Sequence, residues 1–369
     1  MDNILAHLEE VEDLRESHKV VYPLSTLLFI SICAIFCGAE SWSDISLWAK
    51  THKDWLSKHI DISKGITSYS TIRRIFMMIQ PAHWDNLMRS IIDLHNPNRL
   101  AEDHIPIDGK SLRGSKCLSK EIRAMQIVSA YSVSNNITLG EVKTDSKSNE
   151  IKAIPILLDL LELTDATISI DAIACNQTIV DAILAKDAHY LLGLKKNQPK
   201  LYAAVEKYAQ TTGTHPDNLV SDYFDKSHGR CVRRRCFAFD ITEELAKLGF
   251  SKMNTIIATE TISKSDYEDK VSAKWRYYIT DHDKRHPKLA QYIRDHWQIE
   301  SMHWVLDVHL NDDRDKKYET NAAENFAKTK RLLLNLVKSK PQQGKKMSIR
   351  SHIKRVGWDL DYLSILLFG

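Results

Sequence analysis

The feature that most constrains the fold is a change of periodicity at Asp103. Before it the chain reads as helix: a core helix from Leu24 to Phe36, a turn at Gly38 to Ser41, the amphipathic "WSDISLWAKTHKDWLSKHI", and then "TSYSTIRRIFMMI". After it come short apolar runs bounded by turn residues, which read as strands. "HIPIDG", "MQIVSAYSV" and "ITLGEVKT" follow one another, with Ser134-Asn135-Asn136 as a hairpin turn. Next, "NEIKAIPILLDLLEL" has helical spacing, "TDATISIDAIAC" is a buried strand, "NQTIVDAILAKDA" a helix and "HYLLGLK" a fifth strand. Three strands joined by short turns predict a meander. Two more strands separated by helices predict parallel additions to the same sheet.

This order is that of an α/β, ribonuclease H-like fold. Residues 199–286 interrupt it with further strands, "GRCVRRRCFAFDI", "NTIIATETI" and "WRYYIT", and read as a β-rich insertion. "HPKLAQYIRDHWQIESMHWVLDV" then returns to helix. The predicted organisation is an all-helical N-terminal domain over 1–95, a catalytic domain over 96–198 and 287–340, the insertion over 199–286, and a basic C-terminal segment over 341–369.

A chain of 369 residues, 43% hydrophobic and 27% charged, can build two or three domains with real cores. Its six cysteines include no CxxC pair, which suits a reducing compartment. The acidic N-terminus lacks the pattern of a signal peptide. The apolar run from Val20 to Cys37 is broken by Pro23, Ser25, Thr26 and Ser31, so a buried helix is expected rather than a membrane span. A cytoplasmic protein with no membrane partner is the expectation. The net charge of +3 says little, but Asn325 to Trp358 holds ten Lys or Arg and no acid. Such a face suits an anionic partner or plain solvation.

Glu300 is the anomaly. It lies in "HWQIESMHWVLDVHL", whose composition predicts a mostly buried helix with Trp297 and Trp304 in the core. A buried carboxylate is costly unless paired or bound to a cation. Asp108 is predicted at the end of the first strand and Asp171 at the end of the fourth, on neighbouring strands. A late helix packed on that edge brings Glu300 to them. Three converging carboxylates call for Mg²⁺ or Mn²⁺. Two such ions ~3.5–4 Å apart support phosphoryl transfer. Other readings stay open: a strand-end Asp is commonly a turn residue, and Glu300 can pair with His296 or His303 on its own helix. A zinc site lacks the HExxH order.

Several cations and amides surround these acids in sequence. Lys110 and Arg113 follow Asp108 and are placed either to hold a scissile phosphate or to face solvent. Lys195, Lys196, Asn197 and Gln198 follow the fifth strand, where such groups contact phosphates and base edges. Arg230, Arg233, Arg234 and Arg235 fall on both faces of one strand, as in a ribbon lying along DNA. The tail from Lys328 to Arg355, with Lys330 and Arg331, is expected to track DNA. Arg73 and Arg74, on a short helix behind a turn, read either as a DNA contact or as packing.

"IPIDGKSLRGS", "VSAYS", "ISIDAIACNQTIVDAI", "YLLGLKKNQPKL", "IRDHWQIESMHWVLDVHLNDD" and "AAENFAKTKRLLLNLVK" resemble the DDE transposases of insertion sequences, and among them the H-repeat-associated group linked to Rhs elements. The resemblance covers nearly the whole chain; residues 8 to 90 resemble the helical domain of that group. It implies a ribonuclease H-like catalytic domain with a β-rich insertion before the acidic helix. It implies a cut-and-paste or related transposition reaction with divalent metal, and a dimer that pairs two DNA ends. By it Asp108, Asp171 and Glu300 occupy the DDE positions. A related family carries a Tyr-Arg-Glu-Lys signature around its glutamate. Here the arginine position holds His296, an expected DNA contact, and the lysine position holds Asp307. Asp307, Asp312 and Asp313 therefore compete with Glu300 as third acid. A nuclease without strand transfer, or a domesticated DNA-binding protein, is the alternative function.

Overall fold

The N-terminal helices are α1 (Ile4–Glu9), α2 (Leu24–Phe36), α3 (Trp42–Thr51), α4 (Lys53–Leu56), α5 (Tyr69–Met78) and α6 (Pro81–His95). The computed structural model describes residues 4–95, 102–144, 150–227, 230–265, 271–339 and 347–369. Nearly every residue of α2 is buried, so it forms the axis of the helical core. A capping box starts α3: Ser41 Oγ accepts from Asp44 N, and the Asp44 carboxylate accepts from Ser41 N. No described helix is long and apolar enough to cross a membrane.

The sheet begins with β1 (His104–Leu112), β2 (Met125–Ser132) and β3 (Ile137–Thr144), joined antiparallel. Then α7 (Glu150–Asp159) leads to β4 (Thr167–Ile170), and α8 (Gln177–Leu184) to β5 (His189–Leu194). β4 lies parallel to both β1 and β5. One face packs on α7 and α8: Ile105, Ile107, Ile168 and Ile170 share a core with Leu157 and Ile179.

Residues 199–286, expected as an insertion, hold α9 (Pro199–Tyr208), β6 (Leu219–Ser227), β7 (Arg230–Asp240), α10 (Glu243–Leu248), β8 (Thr255–Ser265) and β9 (Val271–Thr280). Its strands do not stand apart as a ribbon. β9 pairs with β5, so all the described strands join one nine-stranded sheet of order β3-β2-β1-β4-β5-β9-β8-β7-β6. The pairing satisfies the open edge that β5 would otherwise present.

Five helices close the chain: α11 (Leu289–Asp295), α12 (Trp297–Leu310), α13 (Thr320–Ser339), α14 (Ile349–Trp358) and α15 (Leu360–Phe368). Phe326, Leu333 and Leu336 of α13, with Val356, Leu363 and Leu367 beyond it, belong to the same core as α2. The helical region therefore draws on both ends of the chain. The 341–369 segment, expected as a basic extension, supplies two of its helices; Lys345 and Lys346 lie outside the described residues.

Candidate active site

Register places the first two acids. The last β1–β4 pair is Ile107↔Ile170, so Asp108 and Asp171 are the next residues on adjacent parallel strands. Both share side-chain parity with Ser169 and face away from the α7–α8 core. A bare backbone at Gly193 makes room for Asp171: a Cβ there would lie 3.1 Å from Ala172 N and 3.4 Å from Asp171 Oδ1. Asp171 Oδ1 accepts from Ala172 N at 2.6 Å, and Lys195 Nζ donates to its two oxygens at 3.0 and 3.1 Å. Burial would raise this carboxyl, but that N–H and the ammonium hold it below the ordinary range.

Glu300 comes from the first turn of α12 and lines a cavity of about 370 Å³ with Asp171, His296 and Lys195. Its carboxyl is raised by burial and then by the charges of Asp108 and Asp171, against the pull of Arg276. The three acids thus feel one another. His303 Nδ1 lies 3.5 Å from Asp108 Oδ2. Among the described residues no set of three His, Cys, Asp or Glu is drawn to metal-ligand spacing. The donor chemistry nevertheless fits: three mutually repelling carboxylates of this kind suit a hard divalent cation.

The helix that carries Glu300 corrects its sequence reading. Only Ile299, Met302, His303 and Leu306 are buried, one face at helical spacing. Trp297 is 46% and Trp304 57% exposed, so neither is core, and Glu300 itself reaches solvent. His296, just before α12, is held by a chain the sequence reading missed. Its Nδ1 lies 2.8 Å from Ser169 Oγ, which lies 2.7 Å from His104 Nε2. Burial lowers the His296 imidazole, while Asp108 and Asp171 oppose that shift.

The competing acids are all occupied. Asp307 is bonded by Lys110 Nζ, which also reaches Asp312 at 3.4 Å. Asp312 is 1% exposed and bonded by Arg331 Nη2 at 3.1 Å; Arg331 also meets Glu141. Asp313 accepts from Arg113 N at 2.8 Å. Each has a cation or N–H of its own, whereas Glu300 faces two like charges.

The same partners correct three predicted DNA contacts. Lys110, Lys330 and Arg331 are buried, at 8%, 4% and 3% exposure. Lys330 meets Asp315 at 3.1 Å. Helix α13 lies between the sheet and the helical core, so its cations point into the protein. Lys328 likewise bonds Asp85 at 2.6 Å. The β7 arginines are spoken for as well. Arg233 grips Asp222 at 2.6 and 2.9 Å, Arg234 meets Asp225 at 3.4 Å, and Arg235 meets Glu260 at 2.7 Å. The side chain of Arg230 lies outside the described residues. Asn197 and Gln198 donate to the carbonyls of Ala172 and Cys175, bracing the turn after Asp171. Arg73 bonds Glu319 at 2.6 Å. Lys195, Lys196 and Arg113 are exposed; of these Lys195 lines the cavity with Glu300, and so does the exposed Arg276.

Comparison with known proteins gives the family. Residues 99–336 match the family described as "Transposase DDE domain", and residues 5–91 match "DDE_Tnp_1-associated". The Escherichia coli K12 protein named "H repeat-associated putative transposase YhhI" is 33% identical over 380 residues, covering 100% of this chain and 98% of that protein. "H repeat-associated putative transposase YbfD" of the same strain is 34% identical over 252 residues, covering 68% of this chain and 99% of that protein. Among solved structures, a piggyBac transposase synaptic complex with hairpin DNA aligns with a TM-score of 0.46 at 10% identity, over 99% of this chain and 79% of that one. Because the family match spans the sheet and α12, and YhhI aligns over the whole of this chain, the chain belongs to the DDE transposases, in their H-repeat-associated group.

Proposed function

We propose that this protein cuts DNA at the ends of a mobile element and joins the freed ends to a target duplex, on a ribonuclease H-like core formed by β1–β5 and α12, with residues 199–286 inserted. Water adds to the phosphorus of a terminal phosphodiester and the P–O3′ bond breaks. One side keeps a 3′-hydroxyl and the other a 5′-phosphate. That 3′-hydroxyl then displaces the 3′-oxygen of a target phosphodiester in the same site. Asp108, Asp171 and Glu300 are the groups that would hold Mg²⁺ or Mn²⁺, two ions in all. When bound, such ions activate water and stabilise the leaving oxygen.

The observation that carries this reading is the position of Glu300, an acid with no ion pair among the described residues that feels both Asp108 and Asp171. Every other acid on α12 and the turn after it has a cation or N–H partner, while Glu300 is raised by Asp108 and Asp171. In this reading Ser169 and His104 orient His296 beside the acids. Lys195 keeps Asp171 charged and in place, and Arg113 and Lys196 meet the DNA backbone. A homodimer pairing two element ends is the expected active form.

The test is cleavage of a labelled duplex bearing the element's own end, with Mg²⁺, Mn²⁺ or EDTA, by wild type and Glu300→Ala. Metal-dependent nicking lost in the variant is the expected result. Equal cleavage by both proteins would remove Glu300 from the site. Nicking without joined products would leave a nuclease.

A further inference from the structure

The cavity at Glu300 does not end at the active site. It continues into a second one, of about 890 Å³, and the two share Arg276, Tyr278, Ile293 and Trp297. The floor of this trough is one face of β6–β9, and α11 forms a wall. Alternation puts Tyr223, Arg234, Thr259, Lys274 and Arg276 on that face. Its cations fall into two groups. Arg234 and Arg235 are matched by Asp225 and Glu260. Lys274, Arg276 and Arg294 are exposed and form no ion pair among the described residues, Arg276 acting on Glu300 only through space.

Two of these three are also held in place. The Arg276 guanidinium lies 5.6 Å from the Trp297 ring centre, and that of Arg294 lies 5.4 Å from Tyr223. A guanidinium laid on an aromatic face loses freedom but keeps its N–H edge for an anion. This also accounts for Trp297, which is half exposed on a helix whose other face is core.

We infer that Lys274, Arg276 and Arg294 form a phosphate-binding trough that carries the backbone of a DNA strand from the acids at Glu300 along the outer sheet. The inference rests on the proposed DNA chemistry and names the surface that holds the substrate beside the cut. Charge gives the trough its direction: acids at one end, unmatched cations along the rest. A polyanion whose reacting phosphate sits at the acids meets the cations with its next phosphates. The contact is with backbone and carries no sequence information.

The test is the salt dependence of DNA binding, measured in EDTA by fluorescence anisotropy on the end duplex, so that no chemistry intervenes. Each phosphate contact removed should reduce the loss of affinity between about 50 and 200 mM salt by roughly threefold, from a slope of ~0.9 per contact. Lys274→Met, Arg276→Met and Arg294→Met are expected to show this singly and to accumulate. Arg233→Met, whose charge Asp222 already meets, should leave the slope unchanged. A wild-type slope in the triple variant, with normal thermal unfolding, would overturn the trough. So would a change in self-association by light scattering in place of a change in DNA affinity, since the occupant would then be a second copy. A wild-type protein that binds no DNA would overturn the functional reading itself, and the trough with it.

Discussion

The two sides of α12 treat charge in opposite ways. Toward α13, Lys110, Asp307, Asp312, Arg331 and Glu141 form a buried network in which each sign is met by the other. Toward the cavity, Asp108 and Asp171 raise the Glu300 carboxyl, and beyond them the exposed Lys274, Arg276 and Arg294 form no ion pair among the described residues. The first side holds β1 to α12 and so fixes where Asp108 and Glu300 meet. The second holds charge that the chain meets only in part, through Lys195 on Asp171. The lesson is that a count of cations does not locate an anion-binding surface. What locates it is the subset left unpaired once the fold has formed.

The sharpest way to break the contrast is to remove charge on the open side. Asp108→Asn or Glu300→Gln should lower cleavage by about 10³-fold or more, because several kcal/mol of transition-state stabilisation is lost. The thermal midpoint should hold or rise, since a repulsion is relieved; a fall of several degrees would place these acids among the structural ones.

On the closed side the order reverses. Arg331→Met leaves Asp312 and Glu141 buried without their partner and should cost about 3–5 kcal/mol in urea unfolding. Direct DNA affinity of the folded fraction should not change. A loss of affinity at full stability would return Arg331 to the DNA surface.

Lys110→Met tests whether the network positions the acids. Cleavage should fall while DNA affinity is kept, and the charge-swapped pair Lys110→Asp with Asp307→Lys should recover part of the loss. No recovery with a native-like thermal midpoint would count against that role.

The smallest effect is one of pH. Burial alone would raise the Asp312 carboxyl, but Arg331, Lys110 and Lys330 bring it to about 2. That lies below the ~3.9 of an unfolded aspartate. Its share of stability is therefore complete above that value and is lost as pH falls toward 2. Urea midpoints of wild type should drop through this acid window, and those of Asp312→Asn should drop less. Parallel curves would mean that Asp312 carries no such linkage.

Much of the scaffold is legible in the sequence. Alternating apolar residues in "HIPIDG" and "TISID" are visible in the chain, and parallel pairing brings Asp108 and Asp171 to one edge by register. Glu300 stood out because an acid in an apolar helix needs a reason. What the chain concealed was the company each charge keeps. "RRR" at Arg233 to Arg235 is conspicuous in one dimension, yet each arginine finds an acid across the sheet or on the adjoining strand. "KWR" at Lys274 to Arg276 is inconspicuous, yet β9 turns Lys274 and Arg276 into a trough lined by α11. Trp297 and Trp304 read as core because composition alone does not say which face of a helix is covered.

By itself, then, the sequence determined the element order, through periodicity, and the family, through its motifs, and it singled out three acids as the candidate site. Tertiary structure alone decided which cations are available. Pairing depends on partners up to about two hundred residues away, as in Lys110 with Asp307, where the separation is 197, and a charge is free or neutral only with respect to what surrounds it in space.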